Sequence, residues 1–173
     1  MPDLPPPSAF GKPNPSRPCL PTGYGIATGD EGMLPWRHVT EQMAQARNYW
    51  VATTRPDGRP HVVPVWGLWL DERFYFSTDA ASRKGRNLAA SPELVVHLES
   101  GDDVVILEGI AEIVTDAPFL ARFADAYDAK YQVRLDFTDP AYRVYRLRLR
   151  VAWAWQEKDF PQTATRWRFG QAP

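Results

Sequence analysis

Apolar and polar positions alternate at two different periods along the chain. Val39, Met43 and Ala46 are spaced by four and three, an apolar stripe at helical period, and Pro35 suits a first turn. A helix is therefore predicted over 34–48. The period then changes. Residues 49–54 are rich in β-branched and aromatic side chains and predict a strand. Asp57-Gly58 supplies a hairpin turn into a second strand over 61–70. That strand is apolar on both faces, so both sides are expected to be covered, and Pro64 belongs where the ladder is open. A third strand over 73–78 sets Phe74 and Phe76 opposite Tyr75.

Ser82 can cap a short helix that runs through Ala90 and is stopped by Pro92. Strands over 93–100 and 104–114 follow, joined by a turn at Gly101-Asp102-Asp103. Gly109 marks a bulge or a close approach. Asp116 caps a helix over 116–131, in which Phe119, Phe123 and Tyr127 lie four apart. Tyr145, Leu147, Leu149, Val151, Trp153 and Trp155 then alternate without a break against Arg146, Arg148, Arg150, Ala152 and Ala154. A last strand is predicted over 164–169. Short connections favour antiparallel neighbours, and six or seven strands can close on themselves. The expected fold is mainly β: a single antiparallel β-barrel with peripheral helices.

Composition narrows the picture. Eight of the 17 prolines lie in the first 21 residues, so 1–33 reads as a tail ahead of one barrel domain over 34–173. Gly23-x-Gly25-x-x-x-Gly29 is one residue off a dinucleotide-binding fingerprint and follows no predicted strand, so it reads as a loop. The formal net charge of −1 argues against a general nucleic-acid binder. Cys19 is the only cysteine, which excludes an intramolecular disulfide and any Cys-x-x-Cys motif. The N-terminus has no secretory pattern, and the longest apolar run, 61–70, is short of the ~18 residues a membrane helix needs. A cytoplasmic protein without membrane contact is expected. The three histidines fall in three elements, so no metal site is expected. No nucleophile or hydrolase motif is visible. Any catalysis is therefore expected to draw on a cofactor, and no catalytic residue is assigned.

Three segments could carry binding chemistry. In the first, a strand ends at Ser77-Thr78 and a helix opens at Ser82-Arg83-Lys84-Gly85-Arg86-Asn87. A helix N-terminus with free N–H groups, a guanidinium fork, an ammonium and hydroxyls suits a phosphate; the alternative is a solvated basic turn. In the second, His61, Val62, Val63, Pro64 and Val65 could lay backbone groups along the edge of a flat ring, or simply pack the core. Trp66 and Trp69 read as packing. In the third, Arg166, Trp167 and Arg168 combine cations with an aromatic, as at anion or ring sites, or form a terminal strand with a solvated face. Arg146, Arg148 and Arg150 form a basic stripe that could serve nucleic acid. Cross-strand ion pairs are the preferred reading, since acidic partners are available.

At this point a resemblance enters. The run from Tyr49 through Thr54-Arg55-Pro56-Asp57-Gly58 to Trp66 resembles the opening hairpin of the pyridoxamine 5′-phosphate oxidase-like, FMN-binding split β-barrel superfamily. Phe74-Tyr75-Phe76-Ser77-Thr78 with Lys84-x-x-Asn87-Leu88-x-x-x-Pro92 resembles its cofactor-phosphate segment. More narrowly, the chain is similar to the flavin/deazaflavin oxidoreductase branch. The resemblance implies an antiparallel split β-barrel and a homodimer with two cofactors at the subunit interface. It implies that Ser82, Arg83 and Lys84 hold the cofactor phosphate with Asn87 nearby, and that 61–65 border the tricyclic ring. It also implies that Arg166, Trp167 and Arg168 reach the site from the partner subunit. The activity implied is hydride transfer between bound FMN or coenzyme F420 and a small flat organic acceptor. Extra arginines suit the anionic oligoglutamate tail of F420. The pyridoxal-phosphate-binding residues of true pyridoxamine-phosphate oxidases do not appear at the C-terminus. Rival readings are a non-enzymatic flavin or haem carrier and a haem-degrading barrel that would need His61 or His97 as an iron ligand.

Overall fold

The computed structural model describes residues 13–170. Residues 1–12 of the expected tail, and the last three of the chain, lie outside the described residues. Eight strands and four helices follow in the order β1 (Asn14–Ser16), α1 (Trp36–Gln45), β2 (Asn48–Thr54), β3 (Pro60–Leu70), β4 (Arg73–Asp79), α2 (Arg83–Ala90), β5 (Glu93–His97), β6 (Asp103–Val114), α3 (Ala117–Tyr131), β7 (Tyr142–Gln156), α4 (Phe160–Thr163) and β8 (Thr165–Arg168).

All strand pairs are antiparallel. Strands β7-β4-β3-β2-β5-β6 form a ring that closes when β6 pairs back onto β7. A closed ring has no edge to protect. The split comes from the length of β7. One edge of β7 pairs with β6 from Val144 to Gln156; the other pairs with β4 from Tyr142 to Arg146 and then, from Val151, with β8. β1 extends the sheet by pairing with β8. The described part of the N-terminal segment is thus docked on the barrel. Its anchor is Arg17, whose guanidinium donates to the carbonyls of Gly29, Glu31, Gln162 and Ala164.

Most predicted elements lie where the pattern placed them. Gly58 takes a positive φ of 82° in the β2–β3 turn, the backbone that glycine adopts at little steric cost. Pro64 lies opposite Trp50 on β2, while β4 pairs with β3 only from Gly67 onward. The ladder is therefore open on the β4 side of Pro64, as its missing N–H requires.

Two expectations are corrected. The two-sided cover of β3 is incomplete: Val62 is 48% exposed, and Trp66 remains 37% exposed although Tyr127 and Tyr131 of α3 pack against it. The unbroken alternation of β7 also fails. The β6–β7 register shifts between Glu108 and Gly109, passing over Arg150. One extra residue reverses which face is inward. Before the bulge Tyr145 and Leu147 are buried; beyond it Ala152 and Ala154 are, while Val151, Trp153 and Trp155 are only half-buried.

Two apolar clusters result. The barrel interior holds Val51, Phe74, Phe76, Leu107 and Leu147, plugged by Val39 and Met43 of α1 and by Trp167. Outside the barrel, α3 packs Phe119, Phe123, Tyr127 and Tyr131 against Leu68, Tyr75 and Val144. Phe74 and Phe76 face inward and Tyr75 outward, which makes β4 the wall between the clusters. The arginine stripe of β7 is paired: Glu112 accepts from Arg146 at 2.7 Å and Arg148 at 2.6 Å, and Glu93 from Arg150 at 2.9 Å. Asp103, expected in the turn, opens β6 and meets His38 at 2.7 Å and Gln42 at 3.2 Å.

Candidate functional site

The site is built where β4 delivers the chain to α2. Ser82 is the N-cap: its Oγ accepts the Gly85 N–H at 3.0 Å and lies 3.0 Å from Thr78 Oγ1. Gly85 is there because a Cβ would lie 2.5 Å from the Asp79 carbonyl oxygen and 2.6 Å from that of Ala80. The first turn of α2 is thereby pressed against the end of β4. Helix N–H groups at such a terminus carry partial positive charge and favour anions.

Lys84 lies in this first turn and is 9% exposed. No hydrogen-bond or ion-pair partner meets its ammonium among the described residues. Burial pushes its pKa below the ordinary lysine value. An unpaired buried cation is costly unless something pairs with it. Arg83 is exposed beside it. His61 of β3 feels the same field: burial first, then the charges of Arg55, Lys84 and Arg83, lower its pKa. Its Nδ1 is buried without a partner.

An adjoining open cleft of about 380 Å³ is lined by Asn48, Pro64, Val65, Trp66, Ser77, Lys84 and Tyr127. Ser77 Oγ is buried and unpartnered in its wall. Asn87 is fully buried; its Nδ2 donates to Thr53 Oγ1 at 3.0 Å and its Oδ1 has no partner. Thr53 in turn contacts the His61 carbonyl at 3.4 Å. Asn87 therefore ties α2 through β2 to β3.

The donor set fits a phosphorylated flat cofactor. A largely buried lysine whose ammonium has no counter-ion, a capped helix N-terminus and an orphaned serine hydroxyl are what a phosphate and a polar chain would satisfy. Pro64 and Val65 offer an apolar edge. No group of His, Cys, Asp and Glu able to hold a metal occurs among the described residues.

The structure brings most sequence-predicted site residues together and leaves others apart. Ser77, Thr78, Ser82, Arg83, Lys84 and Asn87 converge with His61, Pro64 and Val65. Val62 points to the exposed face, and half-buried Val63 packs on the barrel core. Arg166, Trp167 and Arg168 lie elsewhere. Ser77 pairs with Val144 of β7 and Arg166 with Trp153, a separation of roughly 30 Å at about 3.3 Å per residue. Arg166 donates to Ser16 Oγ at 3.2 and 3.1 Å. Trp167 is 1% exposed and packs edge-on against Trp36 in its own barrel; its role within this chain is packing. Arg168 is exposed.

Three cleft or rim residues were not singled out from sequence: Asn48, Tyr127 and Arg55. Tyr127 reads as one more member of a helical apolar stripe, and only its hydroxyl hints otherwise. Trp66 reads as packing, yet it lines the cleft.

The family model described as pyridoxamine 5′-phosphate oxidase matches residues 36–156. A pyridoxine/pyridoxamine 5′-phosphate oxidase of Gluconobacter oxydans is 44% identical over 77 residues, which cover 43% of this chain and 38% of that protein. Another, from Azorhizobium caulinodans, is 44% identical over 77 residues, 43% of this chain and 36% of the relative. The match thus spans little more than a third of these relatives' length. Among solved structures, a conserved hypothetical protein of Mycobacterium tuberculosis superposes with a TM-score of 0.63 at 25% identity, covering 71% of this chain and 85% of that one. A structure described as F420 reductase gives 0.51 at 25% identity, over 65% of this chain and 94% of that one.

Proposed function

Because the chain belongs to the pyridoxamine 5′-phosphate oxidase family, and because its α2 terminus offers an anion the unpaired ammonium of a largely buried lysine, we propose that it is a flavin- or deazaflavin-dependent oxidoreductase acting on a small flat organic acceptor. The observation that carries the reading is Lys84. A largely buried lysine without a carboxylate partner gains most when a ligand in the cleft supplies the negative charge.

The bound cofactor, FMN or F420, supplies hydride transfer. The chain's own residues bind and orient. Lys84, Arg83, Ser82 and the first N–H groups of α2 would hold the phosphate. Ser77, whose hydroxyl is buried without a partner, would donate to the cofactor's polar chain. Pro64 and Val65 would offer an apolar edge to the ring. No side chain of the cleft is assigned as a proton donor. The excess of cations, Arg55 and Arg83 beside Lys84, favours F420 with its anionic tail, and the likeness to an F420 reductase supports that choice.

The separation of Arg166 from Lys84 and the exposed Val62 and Pro64 at the start of β3 support a homodimer in which a second copy covers that end of β3, leaves Trp66 open to the cleft and brings Arg166 and Arg168 to the cofactor. The test is paired titration of cofactor-free protein with FMN and with F420, followed by sedimentation. Micromolar or tighter binding of either, abolished in Lys84→Ala, supports the reading. Binding of neither, with Lys84→Ala unchanged, overturns it, and a Soret band on haem addition would then favour a haem protein.

A further inference from the structure

The far wall of the cleft is aromatic. Trp66 stacks on Tyr131 with ring centroids 4.7 Å apart and an interplanar angle of 7°. Tyr127 lies 6.2 Å from Trp66 and 4.8 Å from Tyr131. Tyr131 is locked in place. Its Oη accepts the Gly67 N–H at 2.9 Å and lies 2.7 Å from the Gly67 carbonyl and 2.8 Å from that of Arg47. Lys130, next on α3, donates to Tyr49 Oη at 2.9 Å and to the Gly67 carbonyl at 3.1 Å. One face of the Trp66 indole is therefore backed by a fixed ring, and the residue is still 37% exposed.

A cation guards this wall. The Arg47 guanidinium lies 5.7 Å from the Trp66 ring centre and 5.6 Å from that of Tyr131. It is exposed and has no carboxylate partner among the described residues. A rigid aromatic platform beside an unpaired guanidinium suits a molecule that is planar at one end and anionic at the other.

Resting on the proposed oxidoreductase reading, we propose that Trp66 and Tyr127 form the stacking wall of the acceptor subsite, and that Arg47 at its rim selects planar conjugated acceptors bearing a carboxylate. Acceptor and cofactor would then share one cleft, with Lys84 serving the cofactor and Arg47 the acceptor.

Calorimetry with two probes of equal shape tests this: naphthoate and its neutral counterpart naphthylmethanol, each added to full-length protein with and without saturating cofactor. Naphthoate should bind about tenfold more tightly than the alcohol, the scale of one charge-assisted contact. Arg47→Gln should erase that difference and leave the alcohol's affinity unchanged. Trp66→Leu should weaken both probes. Equal affinity for the two probes in the unmodified protein, an Arg47→Gln variant without effect, or no probe binding to a protein that holds its cofactor would each overturn the inference. Probe binding by a protein that takes up neither FMN nor F420 would sink the oxidoreductase reading and leave the acceptor wall standing.

Discussion

The Cα of Gly109 faces the Arg148 carbonyl so closely that a Cβ there would lie 2.1 Å from the oxygen. This contact fixes the β6–β7 bulge and, with it, which half of β7 turns Ala152 and Ala154 inward. Gly109→Ala must push the two longest strands of the barrel apart. We expect a loss of roughly 2–3 kcal/mol in denaturant unfolding, on the scale of overpacking a closed core. An unchanged midpoint would show that the bulge relaxes freely.

Lys84→Met separates binding from folding. The ammonium has no protein partner, so its removal deletes a desolvation cost from the cofactor-free protein. Melting temperature without cofactor should hold or rise, while affinity for FMN or F420 falls by about tenfold or more. A fall in both would mean that Lys84 is a structural residue.

Lys130 gives the stability a pH signature. Burial, and secondarily the charge of Arg47, lower its pKa to about 8 from 10.5. Between those values the unfolded chain binds more protons than the folded one, so stability should rise as pH increases through the window. Below pH 8 the full cost of the buried charge is present. Above about pH 10 the buried phenols of Tyr49, Tyr127 and Tyr131, whose pKa values are raised, reverse the slope. Denaturant midpoints from pH 7.5 to 10 should climb in the unmodified protein and stay flat in Lys130→Met. A flat profile in both would remove the argument. The Gly67 carbonyl keeps Tyr131 as donor in that variant, so little stability should be lost.

Arg17 holds the N-terminal segment through four carbonyl contacts that span Gly29 to Ala164. Arg17→Ala should speed hydrogen exchange over 14–33 and at β8, with the rest of the barrel unchanged. Unaltered exchange at 14–33 would assign the docking to the β1–β8 ladder alone.

Much of the barrel was legible from residue order, and for a physical reason. Period-two alternation, Asp57-Gly58, Ser82, Asp116 and Gly109 act over a few residues, through side-chain direction, φ freedom and capping. They specify strands, a hairpin, two helices and a bulge before any long-range contact exists. The capped helix terminus at Ser82–Lys84 was legible on the same grounds. What local pattern could not set was decided by long-range closure. Alternation in β7 looked continuous, yet β6 and β7 must curve to complete the ring, and the extra residue at Arg150 reverses the inward face. Trp167 looked like a ring binder until closure placed it under Trp36. Tyr127 and Trp66, some sixty positions apart, became one wall only when α3 folded back across β3. A cleft is a property of surfaces that meet, and its lining depends on packing between elements whose separate patterns carry no record of each other.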